Sequence, residues 1–172
     1  MKIIQNPNQI LRKKAKPVQK IDKVILEDIK KMETALKSTK NGVAIAAPQL
    51  GISKAIIFAK FKAKKKKDTD IPRIILLNPK IIKSSQDTCK REEGCLSFMN
   101  PEIRAMVSRP RRVTVLILTG KGKKKEIKAR GFLARVLQHE IDHLNGILFV
   151  DKADPTTLYK VSEEEKNEKT KE

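Results

Sequence analysis

From Asp22 to Lys40 the apolar residues Ile25, Ile29, Met32 and Leu36 stand four, three and four positions apart, the spacing of one helical face. Asp22 is a candidate N-cap and Asn41-Gly42 a stop, so an amphipathic helix is expected between them. Gly42 to Ile52 is small, apolar and interrupted by Pro48, and reads as a tight irregular stretch or a short strand. Runs rich in Ile and Val at Ala55 to Phe61, Arg73 to Asn78 and Arg112 to Leu118, bounded by Pro, Gly or Asn, predict strands. No long helix separates them, so their pairing is expected to be antiparallel. The Lys-rich runs Lys62–Asp68 and Lys121–Lys125 read as exposed hairpin loops. From Arg130 to Asn145 a second helix is expected. Phe132, Leu133, Val136, Leu137, Ile141 and Leu144 give it a broad apolar stripe, and Asn145-Gly146 ends it. Beyond Asp154-Pro155 apolar residues become scarce. Residues 1–160 are read as one domain and residues 161–172 as a charged tail, a frayed helix or a disordered end.

A chain of 172 residues with 39% hydrophobic content can bury a single core. It holds no uninterrupted apolar stretch of about 18 residues, as a membrane helix needs. Its opening residues Met1 to Pro7 lack the apolar centre of a secretory signal. A cytoplasmic protein without a membrane partner is therefore expected. Cys89 and Cys95 are too few for a disulfide framework and are read as free thiols or ligands. The 39 basic residues outnumber the 20 acidic ones, giving a formal charge of +19. Such an excess suggests a polyanionic partner. With 30 Lys and only 9 Arg it is equally a solubility feature, because Arg is the residue that grips phosphate bidentately.

Both histidines of the chain fall in His139-Glu140-Ile141-Asp142-His143, inside the second predicted helix. Residues i and i+4 share a helix face, so both imidazoles can address one metal ion, while Glu140 can reach a water beside it. A catalytic site of this kind needs a third ligand and an open position. Cys95 can supply the ligand, next to Gly94, which permits a close backbone approach. Taken alone, Cys95 is equally a buried thiol, Gln49 a turn residue and Leu96 core. Cys89 is given no role. One thiolate and two imidazoles accept Zn, Ni, Co or Fe(II). Two other readings are weighed. A metallopeptidase built on the same helix would take a later His or Glu as third ligand, and no His follows His143. A basic RNA- or ribosome-binding module would use the metal structurally and close it with four ligands, where three are found.

Three segments in order, Gly42-Val43-Ala44-Ile45-Ala46-Ala47-Pro48-Gln49, Glu93-Gly94-Cys95-Leu96-Ser97 and Gln138-His139-Glu140-Ile141-Asp142-His143-Leu144-Asn145-Gly146, resemble the signature motifs of the peptide deformylases. The likeness runs from about residue 3 to 155, through Asn6-Pro7, Leu11-Arg12, Leu77-Asn78-Pro79 and an expected strand at Leu148–Asp151. Two departures stand out. Ala44 replaces a usual glycine, and Phe98-Met99-Asn100 carries about two extra residues compared with the shortest members.

The elements and the resemblance together imply an α+β fold. Antiparallel or mixed β-sheets would pack around a central buried helix carrying the two histidines, with an amphipathic helix nearer the N-terminus. The resemblance further implies a hydrolase that removes the formyl group from the formyl-methionine of nascent polypeptides and releases formate. Cys95, His139 and His143 would hold one divalent ion, Fe(II) in the cell, with Zn, Ni or Co accepted. Glu140 would be the general base, and the Gln49 amide with the Leu96 N–H would stabilise the oxyanion. Val43, Phe132 and Val136 match the methionine pocket, although each would serve equally as core. Ala44 and Arg104 lie beside the substrate backbone, Arg104 being otherwise a surface charge. Asp142 is expected to pair with Arg109. A monomer is expected, a catalytically weak one if the Ala44 methyl obstructs the groove. The basic loops would attract it to ribosomal RNA.

Overall fold

A computed structural model describes residues 2–60, 73–99, 102–119 and 123–162. The first amphipathic pattern forms helix α1, Lys23–Lys37, whose Ile25 N–H donates to the Asp22 side chain at 3.0 Å. Its Ile25, Met32 and Leu36 face is buried. The small apolar stretch becomes strand β1, Ala44–Ala46, and a 3-10 turn over Ala47–Leu50. Strands β2, Ile56–Lys60, and β3, Arg73–Ser84, then pair antiparallel. β4, Thr88–Met99, and β5, Glu102–Pro110, form a hairpin of their own. β6, Arg112–Leu118, and β7, Lys124–Arg130, return to the first sheet, and helix α2, Gly131–Leu144, follows. The short β8, Tyr159–Lys160, pairs with β5.

The larger sheet has the order β1-β2-β3-β6-β7 and the smaller β4-β5-β8. All ladders are antiparallel, and a parallel contact occurs as the isolated bridge Lys16–Lys54. The continuous apolar run of β2 follows from burial on both of its faces. Ile56 and Phe58 turn toward α1, with Met32 and Ile45, while Ile57 turns toward α2, with Leu76, Val115, Leu137 and Ile141. A third cluster, Leu11, Phe98, Val107, Leu148 and Phe149, fills the smaller sheet. Leu137 is fully buried in the α2 cluster, so Leu137→Ala would cost about 2–5 kcal/mol.

Several expectations change. Leu148–Asp151 is not a strand but a 3-10 turn at Phe149–Asp151, because the Asp151 carboxylate accepts the Leu148 N–H at 2.8 Å and closes the turn. β3 does not stop at Asn78. That residue takes a positive φ of 49°, a register shift absorbs Pro79, and the strand runs on to Ser84. Lys124 and Lys125 belong to β7 and not to a loop, since Ile127 and Ala129 alternate inward between solvent-facing charges. Val161 is buried and donates its N–H to Glu102 at 2.9 Å, so it belongs to the domain and not to the tail. Lys62–Asp68, Lys121, Gly122 and residues 163–172 lie outside the described residues.

Candidate metal centre and active site

Helix α2 places His139 and His143 one turn apart, with ring centroids separated by 5.1 Å. β4 brings Cys95 to them. The β4–β5 register breaks between Gly94 and Met99, which takes the segment around Cys95 out of the ladder and turns its thiol toward α2. The ligand atoms of Cys95, His139 and His143 all lie within 4.8 Å of one another, and Cys95 Sγ is 3.1 Å from His143 Nε2. Gly94 lets the Arg104 side chain lie close against β4, since a Cβ on it would stand 2.8 Å from that side chain and push it aside.

Around the ligands lies a buried ionic network. The Glu93 carboxylate accepts from Arg109 Nε and Nη2 at 2.7 and 2.9 Å, from Arg135, and meets His139 Nδ1 at 3.1 Å. Arg109 Nη1 also donates to Asp142 Oδ2 at 2.7 Å, the pairing expected from the sequence, and Lys152 Nζ donates to Asp142 Oδ1 at 2.6 Å. Burial pushes the Glu93 carboxyl up, but hydrogen bonds from His139 and Arg109 outweigh it and hold it at about 2. Burial pushes the His143 imidazole well below its usual range. Burial lowers the His139 pKa, yet the Cys95 and Glu93 hydrogen bonds raise it to about 10. Burial raises the Glu140 pKa to about 7.

Two buried atoms at the centre of the site find no hydrogen-bond partner, Glu140 Oε2 and His143 Nδ1. Gln49 is oriented by its Oε1, which accepts the Ala46 N–H at 2.8 Å, while its Nε2 faces Ser97 Oγ at 3.1 Å and Cys95 Sγ at 3.6 Å. A cavity of about 830 Å³ opens onto this group. Val43, Ala44, Arg104, Phe132 and Val136 line it, together with Gln49, Leu96 and Glu140. His143, 1% exposed, sits behind the wall. Phe132 is 61% exposed at the rim and so does not belong to the buried face of α2. Ala44 is buried against Ala59 and Val136. The Arg104 guanidinium is held by Glu102 Oε1 at 2.9 and 2.6 Å. Of the extra residues after Ser97, Phe98 packs edge-on against Phe149 at 5.2 Å, and Asn100 lies outside the described residues.

The N-terminal segment braces the metal-facing turn from below. Gln5 Nε2 donates to the Leu96 carbonyl at 3.0 Å, Met99 N–H donates to Gln5 Oε1 at 2.9 Å, and Asn6 N–H donates to the Ser97 carbonyl at 2.9 Å. Ile4 N–H donates to the Gln49 carbonyl at 2.8 Å. Sequence reasoning missed this brace, and it missed Glu93. Glu93, Cys95 and Ser97 alternate along β4, and all three are buried, a pattern that emerges only once β4 is recognised as a strand.

A thiol and two imidazoles converging beside a cavity, with an unpaired carboxylate next to them, form the centre of a metal-assisted hydrolase. The sequence profile of the polypeptide deformylases matches residues 1–158. A peptide deformylase of Picosynechococcus sp. is 40% identical over 152 residues, covering 86% of this chain and 75% of that protein. Peptide deformylase 2 of Clostridium acetobutylicum is 42% identical, covering 84% of this chain and 89% of its own. The crystal structure of the Synechococcus elongatus peptide deformylase in complex with actinonin superposes with a TM-score of 0.80 at 36% identity, covering 90% of this chain and 80% of that one. The chain belongs to the polypeptide deformylase family and is a hydrolase of the deformylase type.

Proposed function

We propose that the protein removes the formyl group from the N-terminal formyl-methionine of nascent polypeptides, releasing formate, and that it does so with a divalent metal ion. The observation that carries the reading is the juxtaposition of Cys95, His139 and His143 with the unpaired Glu140 carboxylate on the wall of one cavity. The donor set fits a metal. Glu93 takes His139 by Nδ1, which leaves Nε2 to face Cys95, and an ion held by Cys95 and the two imidazoles would take the place of the proton that these partners otherwise keep on His139. When bound, the ion lowers the pKa of a water and supplies a nucleophile at neutral pH. Glu140, whose Oε2 is unpartnered beside the ligand atoms, would hold the proton given up by the attacking water and return it to the amine nitrogen as the new C–O bond forms and the C–N bond breaks. The charge growing on the formyl oxygen is met by the Leu96 N–H and by the Gln49 amide, which exchanges its Cys95 contact for the oxygen. Val43, Phe132 and Val136 enclose the methionine side chain, and Arg104 lies along the peptide backbone.

The native ion is Fe(II), with Zn, Ni or Co accepted by the same ligands. The protein acts as a monomer in the cytoplasm, and its basic surface draws it to ribosomal RNA. The Ala44 methyl, on the cavity wall, makes it a slower enzyme than its glycine counterpart, so Ala44→Gly is expected to raise kcat/KM. The deciding experiment is anaerobic formate release from a formyl-Met peptide with Fe(II). Loss of turnover in Glu140→Ala, with loss of bound metal in Cys95→Ala but not in Cys89→Ala, is the expected result. Equal turnover in Glu140→Ala and the parent would refute the mechanism.

A further inference from the structure

A second cleft lies away from the metal centre, across β3, β6 and β7, with a volume of about 500 Å³. Its wall carries Lys83, Arg112, Lys128 and Arg130, with Thr114 among them. The sheet register explains the array. Lys83 pairs with Thr114, which pairs with Lys128, and Arg112 pairs with Arg130, so these residues share one face. Val113 and Ala129, between them, turn to the core. Arg112 and Arg130 stand directly opposite at roughly 5 Å, Lys83 and Lys128 flank Thr114 at roughly 10 Å, and the two rows lie about 7 Å apart along the strands.

This arrangement costs stability when nothing fills it, because like charges directly opposite on a sheet repel. Arg112 has a partner in Asp87 at 2.7 Å, an exposed pair at the cleft edge, and Arg111 lies 3.8 Å from the same carboxylate. Glu126 lies one row further along the same face, opposite Leu116, with Lys80 across from it. Lys83, Lys128 and Arg130 make no ion pair with a described residue. Two of the chain's nine arginines stand here beside Thr114, so the site offers planar, bidentate grips on phosphate as well as charge.

We infer that this three-stranded face is a docking surface for the phosphate backbone of RNA. The cleft is concave and cationic and carries the Thr114 hydroxyl among its charges, which complements a polyanion. A lipid surface would call for apolar side chains standing out among the cations, and the apolar lining residues Val113 and Ala129 are both buried. The inference rests on the proposed attraction to ribosomal RNA and deepens it by placing its address on this sheet face.

The test is fluorescence-anisotropy binding of a fluorescein-labelled RNA hairpin by the full chain, over about 50 to 200 mM salt. Three fourfold Lys/Arg→Gln sets lower the net charge equally: the face set (Lys83, Arg112, Lys128, Arg130), a loop set (Lys64, Lys65, Lys66, Lys67) and a remote exposed set (Lys13, Lys14, Lys20, Lys30). The face set is expected to weaken binding by at least about tenfold and to reduce the salt slope by about 3 to 4, at roughly 0.9 per lost phosphate contact. The other two sets should change affinity by less than about threefold. Formate release by the face set should match the parent, which reports an intact fold. If that set misfolds, single Lys83→Glu and Lys128→Glu variants take its place, each expected to weaken binding and to reduce the salt slope by about 1, at roughly 0.9 per lost phosphate contact. Equal losses in all three sets would overturn the inference, because the charge would then act diffusely. Loss confined to the loop set would overturn the face assignment while leaving attraction to RNA standing, whereas a parent that binds no RNA at low salt would overturn both. If the face set still bound RNA but lost binding to phosphatidylglycerol vesicles, the occupant would be lipid and the inference would also fail.

Discussion

The Arg109 guanidinium grips the Glu93 carboxylate bidentately, Nε to Oε1 at 2.7 Å and Nη2 to Oε2 at 2.9 Å, and both side chains are buried. The third donor of the same guanidinium reaches Asp142 on α2. One cation thus ties β4, β5 and α2 together. Arg109→Met leaves two buried carboxylates without their main counter-charge and is expected to cost about 3–5 kcal/mol, read as a drop in the urea midpoint. A midpoint within error of the parent would show that Arg135 and Lys152 suffice to hold these carboxylates.

Glu93 is the hydrogen-bond partner of His139 Nδ1, so its charge fixes which ring nitrogen faces Cys95. Glu93→Gln keeps the shape but replaces one of two oxygens that each serve two partners, Oε1 serving Arg109 and Arg135 and Oε2 serving Arg109 and His139. Metal affinity is expected to fall by about 10- to 100-fold, measured by competition with a chromophoric chelator. Arg135→Met, which removes one donor to Glu93, should weaken metal binding in the same direction and by less.

Gly146 closes α2 with a φ of 74°, and a Cβ there would lie 2.3 Å from the Arg12 carbonyl oxygen. The clash is with backbone, which cannot swing aside. Gly146→Ala is expected to destabilise the fold by at least about 1–3 kcal/mol, visible as a lowered Tm. Gly131→Ala is the control: its φ is 58° but nothing lies within 4 Å of the added carbon, so its loss should be smaller.

Asp154 ties β4 to the turn that leads into β8. Lys90 Nζ donates to its Oδ2 at 2.7 Å, and Thr156 donates to its Oδ1 from both Oγ1 and N–H. The Lys90 hydrogen bond, followed by those from Thr156, lowers its pKa from 3.8 to about 2. The folded chain therefore holds this carboxylate ionised where the unfolded chain has begun to protonate it. Its contribution is present in full above about pH 4 and is lost as the pH falls through about 2. The Tm gap between parent and Asp154→Asn should be constant near neutrality and narrow over that window, and a gap that widened on acidification would contradict the assignment.

Both helices and the metal-ligand candidates were legible in the sequence because their spacing is a property of one local segment. Ile25 to Leu36 needs nothing but a 3.6-residue period, and His139 with His143 needs nothing but one turn. β4 and β5 were missed for the opposite reason. Arg91, Glu92 and Ser108 face solvent on strands whose inward residues include Glu93 and Arg109, so charge stands where a strand pattern expects apolar residues. Those buried charges become intelligible only when α2 arrives with His139 and Asp142. The Leu148–Asp151 expectation failed because apolar composition alone does not separate a strand from a turn held by one aspartate.

The brace beneath Cys95 bears on when the site can exist. Gln5 grips Leu96 and Met99, Gln49 faces Cys95, and the remaining ligands arrive at His139 and His143. These groups are drawn from well-separated parts of the chain, and the contacts that join them span 46, 48, 91 and 94 residues. Contacts of such separation form late in folding, after the local helices. A chain still emerging from its own synthesis, with residue 95 out and residue 143 not yet made, owns a thiol but no metal site. The capacity to bind the ion is thus acquired in a single step near the end of folding, and tight metal binding reports a completed fold.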